Sequence, residues 1–301
     1  MAAIEVIINA AGGSFVEGVT EQALEEAFAA AGLDADVSYA RTGEQIGEFA
    51  EAACSSEAEI IVAGGGDGTI SSVAALVAKT DKIFGVLPLG TLNNFSKDLG
   101  IPQDISEAID LIAAGNTTRI DLAELNGRVF INNSSIGLYP RIVRNRVQQQ
   151  QRLGYGKWRA AFWATIKMFR VSPFLKIGLV VDGKFFIRKV PFLFVGNNRY
   201  EMDIYNIGRR PSLSDGKLSI YFLHRGGRLG VLRMLFRTLT GRIKQWRDFE
   251  EVLTDSITIQ TRRRYLNVAF DGEIAMMATP LKYSIIPDAL TVIVPKQEED
   301  A

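Results

Sequence analysis

Apolar positions in the first 120 residues follow two alternating patterns. Short β-branched runs at residues 4–8, 36–39, 59–63 and 83–87 predict strands. Between the first two, apolar positions recur at three and four: Ala23, Leu24, Ala27, Phe28 and Ala31 share one helical face, with Thr20 placed to cap it and Gly32 to stop it. Further helices are predicted over residues 43–53, 71–79 and 105–114. Strands alternating with helices imply parallel strands and crossover helices, so the first part of the chain reads as an open α/β sheet with helices on both faces. Sheets of this kind bind ligands at the carboxyl ends of their strands.

From about residue 121 the rhythm changes to extended runs broken by Asn126-Gly127, Asp182-Gly183, Asp215-Gly216 and Asp271-Gly272. Such pairs favour the turns that join antiparallel strands. The second part is therefore read as a mainly antiparallel β-sandwich interrupted by two helical segments, 141–170 and 227–247. The expected division is residues 1–122 and 123–301, with the last strand returning beside the first domain.

No apolar run approaches the ~18–20 residues that span a bilayer, and the first nine residues lack the parts of a leader, so a cytoplasmic chain is expected. One cysteine, Cys54, excludes an internal disulfide and a cysteine-rich zinc site, and one histidine, His224, argues against histidine-based metal clusters and triads. Neither residue is assigned a role. Carboxylates, hydroxyls, backbone amides and a bound cation remain to carry chemistry. The net charge is zero, yet residues 1–130 hold 6 Lys plus Arg against 20 Asp plus Glu, and the rest holds 28 against 14. A balance of −14 against +14 points to an anionic partner of the second part, a membrane surface or nucleic acid, or to mutual attraction of the two parts.

Candidate chemistry begins where the strand ending Ile60-Ile61-Val62-Ala63 runs into Gly64-Gly65-Gly66-Asp67-Gly68-Thr69 and then an apolar helical segment. Glycines let backbone amides approach phosphate oxygens, and the helix start adds partial positive charge. The Walker spacing and its lysine are absent. The next predicted strand ends in Pro88-Leu89-Gly90-Thr91-Leu92-Asn93-Asn94-Phe95, one crossover unit on and facing the same crevice. A plain tight turn would explain either motif alone. Together, Gly-Gly-Asp-Gly-Thr and Gly-Thr-x-Asn resemble the diacylglycerol kinase catalytic domain, which is shared with bacterial lipid kinases and with sphingosine and ceramide kinases. Ser212-Leu213-Ser214-Asp215-Gly216-Lys217-Leu218 and Phe270-Asp271-Gly272-Glu273 are similar to two later motifs of the bacterial members.

The resemblance implies Mg-ATP as cofactor and a lipid alcohol as acceptor. By it, Thr42, Gly65, Gly66, Asp67, Gly68, Thr69, Thr91 and Asn94 contact ATP. Glu273 is the general base and Asp271 lies close to the reacting phosphate. Asp215, with backbone oxygens near Ser212 and Lys217, holds a structural Mg2+. Departures are visible too: Asn93-Asn94-Phe95 stands where Asn-Asp-Phe is usual, removing one acid, and Asn9-Ala10-Ala11-Gly12 stands for an Asn-Pro turn. The Gly-Gly pair expected after Val195-Gly196-Asn197-Asn198 is also missing.

Two basic segments change the picture of partners. Residues 141–170 hold 8 Lys plus Arg and residues 225–247 hold 7, with no acid in either. In the second, Leu229, Leu232, Phe236, Leu239, Ile243 and Trp246 recur at helical spacing beside Arg233, Arg237, Lys244 and Arg247. That pattern fits a helix lying in an anionic membrane interface, or one covering a core. The expectation is an enzyme of lipid metabolism bound peripherally to the inner membrane surface, without nucleic acid; a homodimer is left open. The alternatives carried forward are a non-catalytic protein that binds nucleotide and lipid, and a soluble-substrate kinase of NAD kinase type.

Overall fold

A computed structural model describes residues 4–11, 19–137, 174–201, 208–223 and 249–296. The two basic segments predicted as helices, and His224, lie outside the described residues.

Strands β1 (Ile4–Asn9), β2 (Ala35–Ala40), β3 (Ile60–Gly65) and β4 (Ile83–Pro88) pair in parallel in the order β2-β1-β3-β4. β3 and β4 are buried on both faces, as continuous apolar runs require in a parallel sheet. Helix α1 (Glu21–Ala30) starts where Thr20 accepts the amide of Ala23, and ends just before Gly32, whose φ of 73° suits a residue without a Cβ. α2 (Gly43–Ser55) and α5 (Ile105–Ala114) also run where their apolar spacing predicts. α3 (Asp67–Val77) begins four residues ahead of the expected start at 71. Asp67, Gly68 and Thr69, read as loop, are its first turn. Between them and α5 the chain adds a short helix that the periodicity does not show, α4 (Asn94–Asp98).

The remaining strands are β5 (Thr117–Leu125), β6 (Arg128–Phe130), β7 (Asn133–Gly137), β8 (Leu175–Val181), β9 (Lys184–Val190), β10 (Phe192–Asn197), β11 (Leu218–Leu223), β12 (Phe249–Thr254), β13 (Ser256–Gln260), β14 (Tyr265–Phe270), β15 (Glu273–Ala278) and β16 (Leu281–Ile293). One sheet has six strands, β12-β11-β10-β7-β14-β15, joined wholly by antiparallel pairs. The other continues from the parallel strands through β16, β13 and β8 to β9, ten strands in all with β5 and β6. β16 makes this continuity: Val292 sits beside Phe84 of β4, and residues nearer its start pair with β13. The second core fills the space between the two sheets with Ile177, Leu179, Ile257, Ile259 and Tyr283 from one and Val195, Ile220, Leu266 and Val268 from the other. This is the sandwich.

Three of the four expected turns close two-residue hairpins with both positions at positive φ: Asn126-Gly127, Asp182-Gly183 and Asp271-Gly272. Asp215-Gly216 does not. It lies in the loop before β11, where Gly216 donates its amide to Asp121 Oδ2 at 2.7 Å, so this pair ties a loop to β5 instead of joining two strands.

Candidate active site

The carboxyl ends of β3 and β4 stand side by side, and their loops touch. A Cβ on Gly90 would come within 2.4 Å of the Gly66 Cα, so the approach of the two loops requires glycine. Gly66 is the N-cap of α3 and offers no side-chain cap, so the first turn of the helix and its partial positive charge could meet an anion entering the cleft. Beside them, Asn9 Nδ2 donates to Thr69 Oγ1 at 2.9 Å and orients the hydroxyl. Thr42 caps α2 by accepting the Gln45 amide at 3.2 Å. The cleft between these elements has a volume of about 540 Å3, and its walls include Thr42, Gly65, Gly66, Gly68, Thr69, Thr91 and Glu273.

Asp67 and Asn94 do different work. The Asp67 carboxylate accepts the Asn94 amide at 3.2 Å, the Asn94 side-chain Nδ2 at 3.2 Å and the Phe95 amide at 3.0 Å. An acid in the first turn of α3 thereby caps α4, whose own N-cap, Asn93, has φ 51° and makes no side-chain capping bond. The pair fixes the start of α4, just after the Gly90-Thr91 turn on the cleft wall, and is not itself among the residues lining the cleft.

Asp271 is an anchor. Its Oδ1 accepts the amides of Asn132 and Asn133, both at 2.9 Å, and its Oδ2 accepts the Ile131 amide at 2.9 Å together with the hydroxyl of Ser71 on α3. Burial pushes the carboxyl above its usual range, against the hydrogen bonds from Ser71 and the three amides, which favour the ionised form. With those donors in place, the side chain joins α3 to the start of β7. Glu273, two residues on, is instead exposed and lies on the cleft wall, 2.9 Å from the guanidinium of Arg128. Arg128 also covers the Phe270 ring, at 4.8 Å. Glu273, Gly68 and Ser72 are shared with a second hollow of about 360 Å3, lined also by Ser71, Lys79, Val129 and Phe270. A carboxylate at the junction of two clefts can act on a group entering from either side.

Asp215, Ser212 and Lys217 share one loop outside the walls of these clefts. Asp215 is exposed, Ser212 Oγ accepts the Ser214 amide at 3.2 Å, and the Lys217 ammonium pairs with Asp255. Among the described residues no three His, Cys, Asp or Glu side chains gather as a metal cluster. A cation on Asp215 would therefore draw its other ligands from backbone oxygens, in keeping with a hard ion.

Arg128 and Ser71 are absent from the motif reading, as is Arg41 on the cleft wall. Their partners lie 145 and 200 residues away for Arg128 and Ser71, so no local spacing marks them. Arg128 follows a legible turn; its role comes only from the pairing of distant hairpins.

The diacylglycerol kinase catalytic domain matches residues 3–125, and the YegS C-terminal NAD kinase beta sandwich-like domain matches residues 137–294. A protein of Staphylococcus epidermidis named diacylglycerol kinase is 41% identical over 99 residues, 31% of each chain. One of Klebsiella pneumoniae named "Probable lipid kinase YegS-like" is 44% identical over 97 residues, 31% of this chain and 33% of its own. The matches span about a third of these relatives' lengths. The crystal structure of a diacylglycerol kinase from Bacillus anthracis shares the fold, with a TM-score of 0.69 over 98% of this chain and 97% of its own at 21% identity. With both its halves matched in order, the chain belongs to the diacylglycerol kinase and YegS-type lipid kinase family.

Proposed function

We propose that the chain is an ATP-dependent lipid kinase that phosphorylates the hydroxyl of diacylglycerol or a similar lipid alcohol at a membrane surface. The observation that carries this reading is the single cleft that gathers the glycine turns of β3 and β4, three threonines and the carboxylate of Glu273. Open helix amides, glycines at closest approach and hydroxyl donors fit a polyphosphate. Bound Mg-ATP would supply the phosphoryl group and the charge neutralisation along it.

Within that reading, Gly66, Gly68 and Thr69 bind phosphate oxygens through backbone amides, and Thr42 and Thr91 hold the nucleotide at the rim. Glu273 accepts the proton of the attacking hydroxyl, a task suited to an exposed, ion-paired carboxylate at the mouth of two clefts. Asp271 acts through position, keeping α3 and β7 in register around the site. Asp215 with the backbone oxygens near Ser212 and Lys217 would hold Mg2+ at a distance from the reacting atoms. No helix among the described residues is long and apolar enough to cross a membrane.

The test is transfer of radiolabelled phosphate from ATP with Mg2+ into a mixed lipid extract in detergent micelles, with products identified by mass. A labelled lipid that disappears with Glu273→Gln is the expected result. ATP binding without label in any lipid would move the reading to a soluble acceptor or to a non-catalytic protein.

A further inference from the structure

β9 is the terminal strand of the ten-stranded sheet, and it exposes three consecutive apolar side chains. Phe185 and Ile187 are each 56% exposed and Phe186 is 39% exposed. Register with β8 assigns the faces. Leu175, Ile177, Leu179 and Val181 are buried toward the sandwich, so their partners Val190, Arg188, Phe186 and Lys184 share the inner side. Lys189, Ile187 and Phe185 then stand on the outer side with Lys176, Gly178 and Val180. A Cβ on Gly178 would meet the Phe185 ring at 2.6 Å, so that ring lies across the glycine, held against the sheet.

The charge on the outer side of β9, β8 and β13 has one sign. β13 continues it with Ser256, Thr258 and Gln260, and β16 adds Lys282 opposite Thr258. No carboxylate stands on the outer side of β9, β8 or β13. Three lysines, Lys176, Lys189 and Lys282, frame an apolar patch made by Phe185, Ile187 and Val180. Asp182 in the β8–β9 turn accepts the Thr254 hydroxyl at 3.0 Å, and Glu250 meets Arg188 at 3.5 Å on the inner side. The first acid on the outer side is Glu124 of β5, beyond β16 opposite Ser284, where it accepts the Gly127 amide at 3.1 Å.

We propose that this outer face of β9 and β8 is the surface on which the protein docks to an anionic lipid bilayer. Phe185 and Ile187 enter the boundary between headgroups and acyl chains, and the lysines meet lipid phosphates. A second copy of the chain fits less well, because a two-fold contact centred on β9 would bring Lys176 and Lys189 together with no acid on β9, β8 or β13 to pair them. Lysines on an edge strand also discourage pairing of edges. The purpose of the docking rests on the lipid-kinase reading, whereas docking itself needs no turnover, so the two fail separately.

The test is flotation of the full chain with phosphatidylcholine vesicles made with or without phosphatidylglycerol. Two double variants are compared with wild type, Phe185→Ser with Ile187→Ser, and Lys176→Glu with Lys189→Glu, their folding checked by thermal unfolding. Wild type is expected to float with the anionic vesicles, and each double variant to lose affinity on the order of tenfold or more. The Phe185→Ser, Ile187→Ser variant should still phosphorylate a short-chain, dispersed diacylglycerol. Variants that float like wild type overturn the proposal, as does wild type that ignores phosphatidylglycerol content or a dimer in solution that the variants dissolve. Flotation that depends on these residues, with no phosphate reaching any lipid, would leave the docking face standing and sink the kinase reading instead.

Discussion

Arg210 Nε donates to Asp98 Oδ2 at 2.7 Å, with the arginine side chain fully withdrawn from solvent and the aspartate 6% exposed. The guanidinium goes on to donate to the Ile131 carbonyl at 2.6 Å and to Asn132 Oδ1 at 2.7 Å, between the rings of Tyr200 and Phe95. A charge from the loop before β11 thus clasps the end of α4 to the segment entering β7. Removing one partner of a buried pair leaves the other uncompensated, at a cost of about 3–5 kcal/mol. Asp98→Ala should therefore unfold at markedly lower urea concentration, and adding Arg210→Met should restore part of the loss. Equal stability of Asp98→Ala and wild type would remove the clasp from the account.

The same segment is gripped from its amide side by Asp271, and from α3 through Ser71. Ser71→Ala is expected to cost about 1.5–3 kcal/mol, the range for a hydrogen bond to a charged group. Because the serine sits on α3, the helix proposed to meet the nucleotide, that loss should come with weaker ATP binding in a calorimetric titration. A stability loss with unaltered ATP affinity would confine the bond to folding.

Tyr200 gives a pH dependence with a definite sign. Its hydroxyl donates to the Asn132 carbonyl at 2.9 Å, and burial pushes its pKa from 10.0 to about 12. The folded value lies above the unfolded one, so the contribution is complete below pH 10 and is lost as pH rises through about 12. The rise corresponds to about 3 kcal/mol. Wild type should lose more stability than Tyr200→Phe between those values in denaturant titrations. Parallel losses in the two proteins would show that the phenol does not titrate with folding.

How much of this could be read from the chain alone follows from the range of each interaction. The parallel strands, three helices and three hairpin turns are local patterns, and the structure carries them at or near the expected residues. The glycine turns were legible for the same reason: Gly65, Gly66, Gly68 and Thr91 meet because β3 and β4 are neighbours one crossover apart. The separate work of Asp271 and Glu273 was not legible. They stand two residues apart on one turn and both line the second hollow, but one is held by donors from residues 71 and 131–133 and the other turns to residue 128. α4 was hidden because its cap is supplied by Asp67, distant in sequence, and not by a side chain of its own.

Asn94 stands where the resemblance leads one to expect an acid, and its geometry says what that change does. Its Nδ2 lies 3.2 Å from Asp67 Oδ2, so Asn94→Asp would set two carboxylates against each other. Like charges at that range disfavour joint ionisation and invite a cation between them. The variant should be less stable than wild type in chelator-treated buffer and recover with added Mg2+, read by thermal unfolding at both conditions. Indifference to Mg2+ would mean that the amide serves only to cap α4.

Glu273 and Arg128 form the pair on which the proposed chemistry turns. An exposed ion pair contributes about 0–1 kcal/mol, so neither Glu273→Gln nor Arg128→Ala should unfold the protein. Their effects on turnover should separate. If Glu273 removes the proton of the acceptor hydroxyl, Glu273→Gln lowers kcat by at least about 10²-fold while ATP affinity stays at its wild-type value. Arg128→Ala leaves the carboxylate in place and should change kcat only a few-fold, since the guanidinium orients the base without accepting a proton. Measured kcat and ATP dissociation constants for both variants decide the matter. A collapse of kcat in Arg128→Ala alone would assign the essential group to the guanidinium, as a donor to the transferred phosphoryl oxygens, and would make Glu273 its anchor.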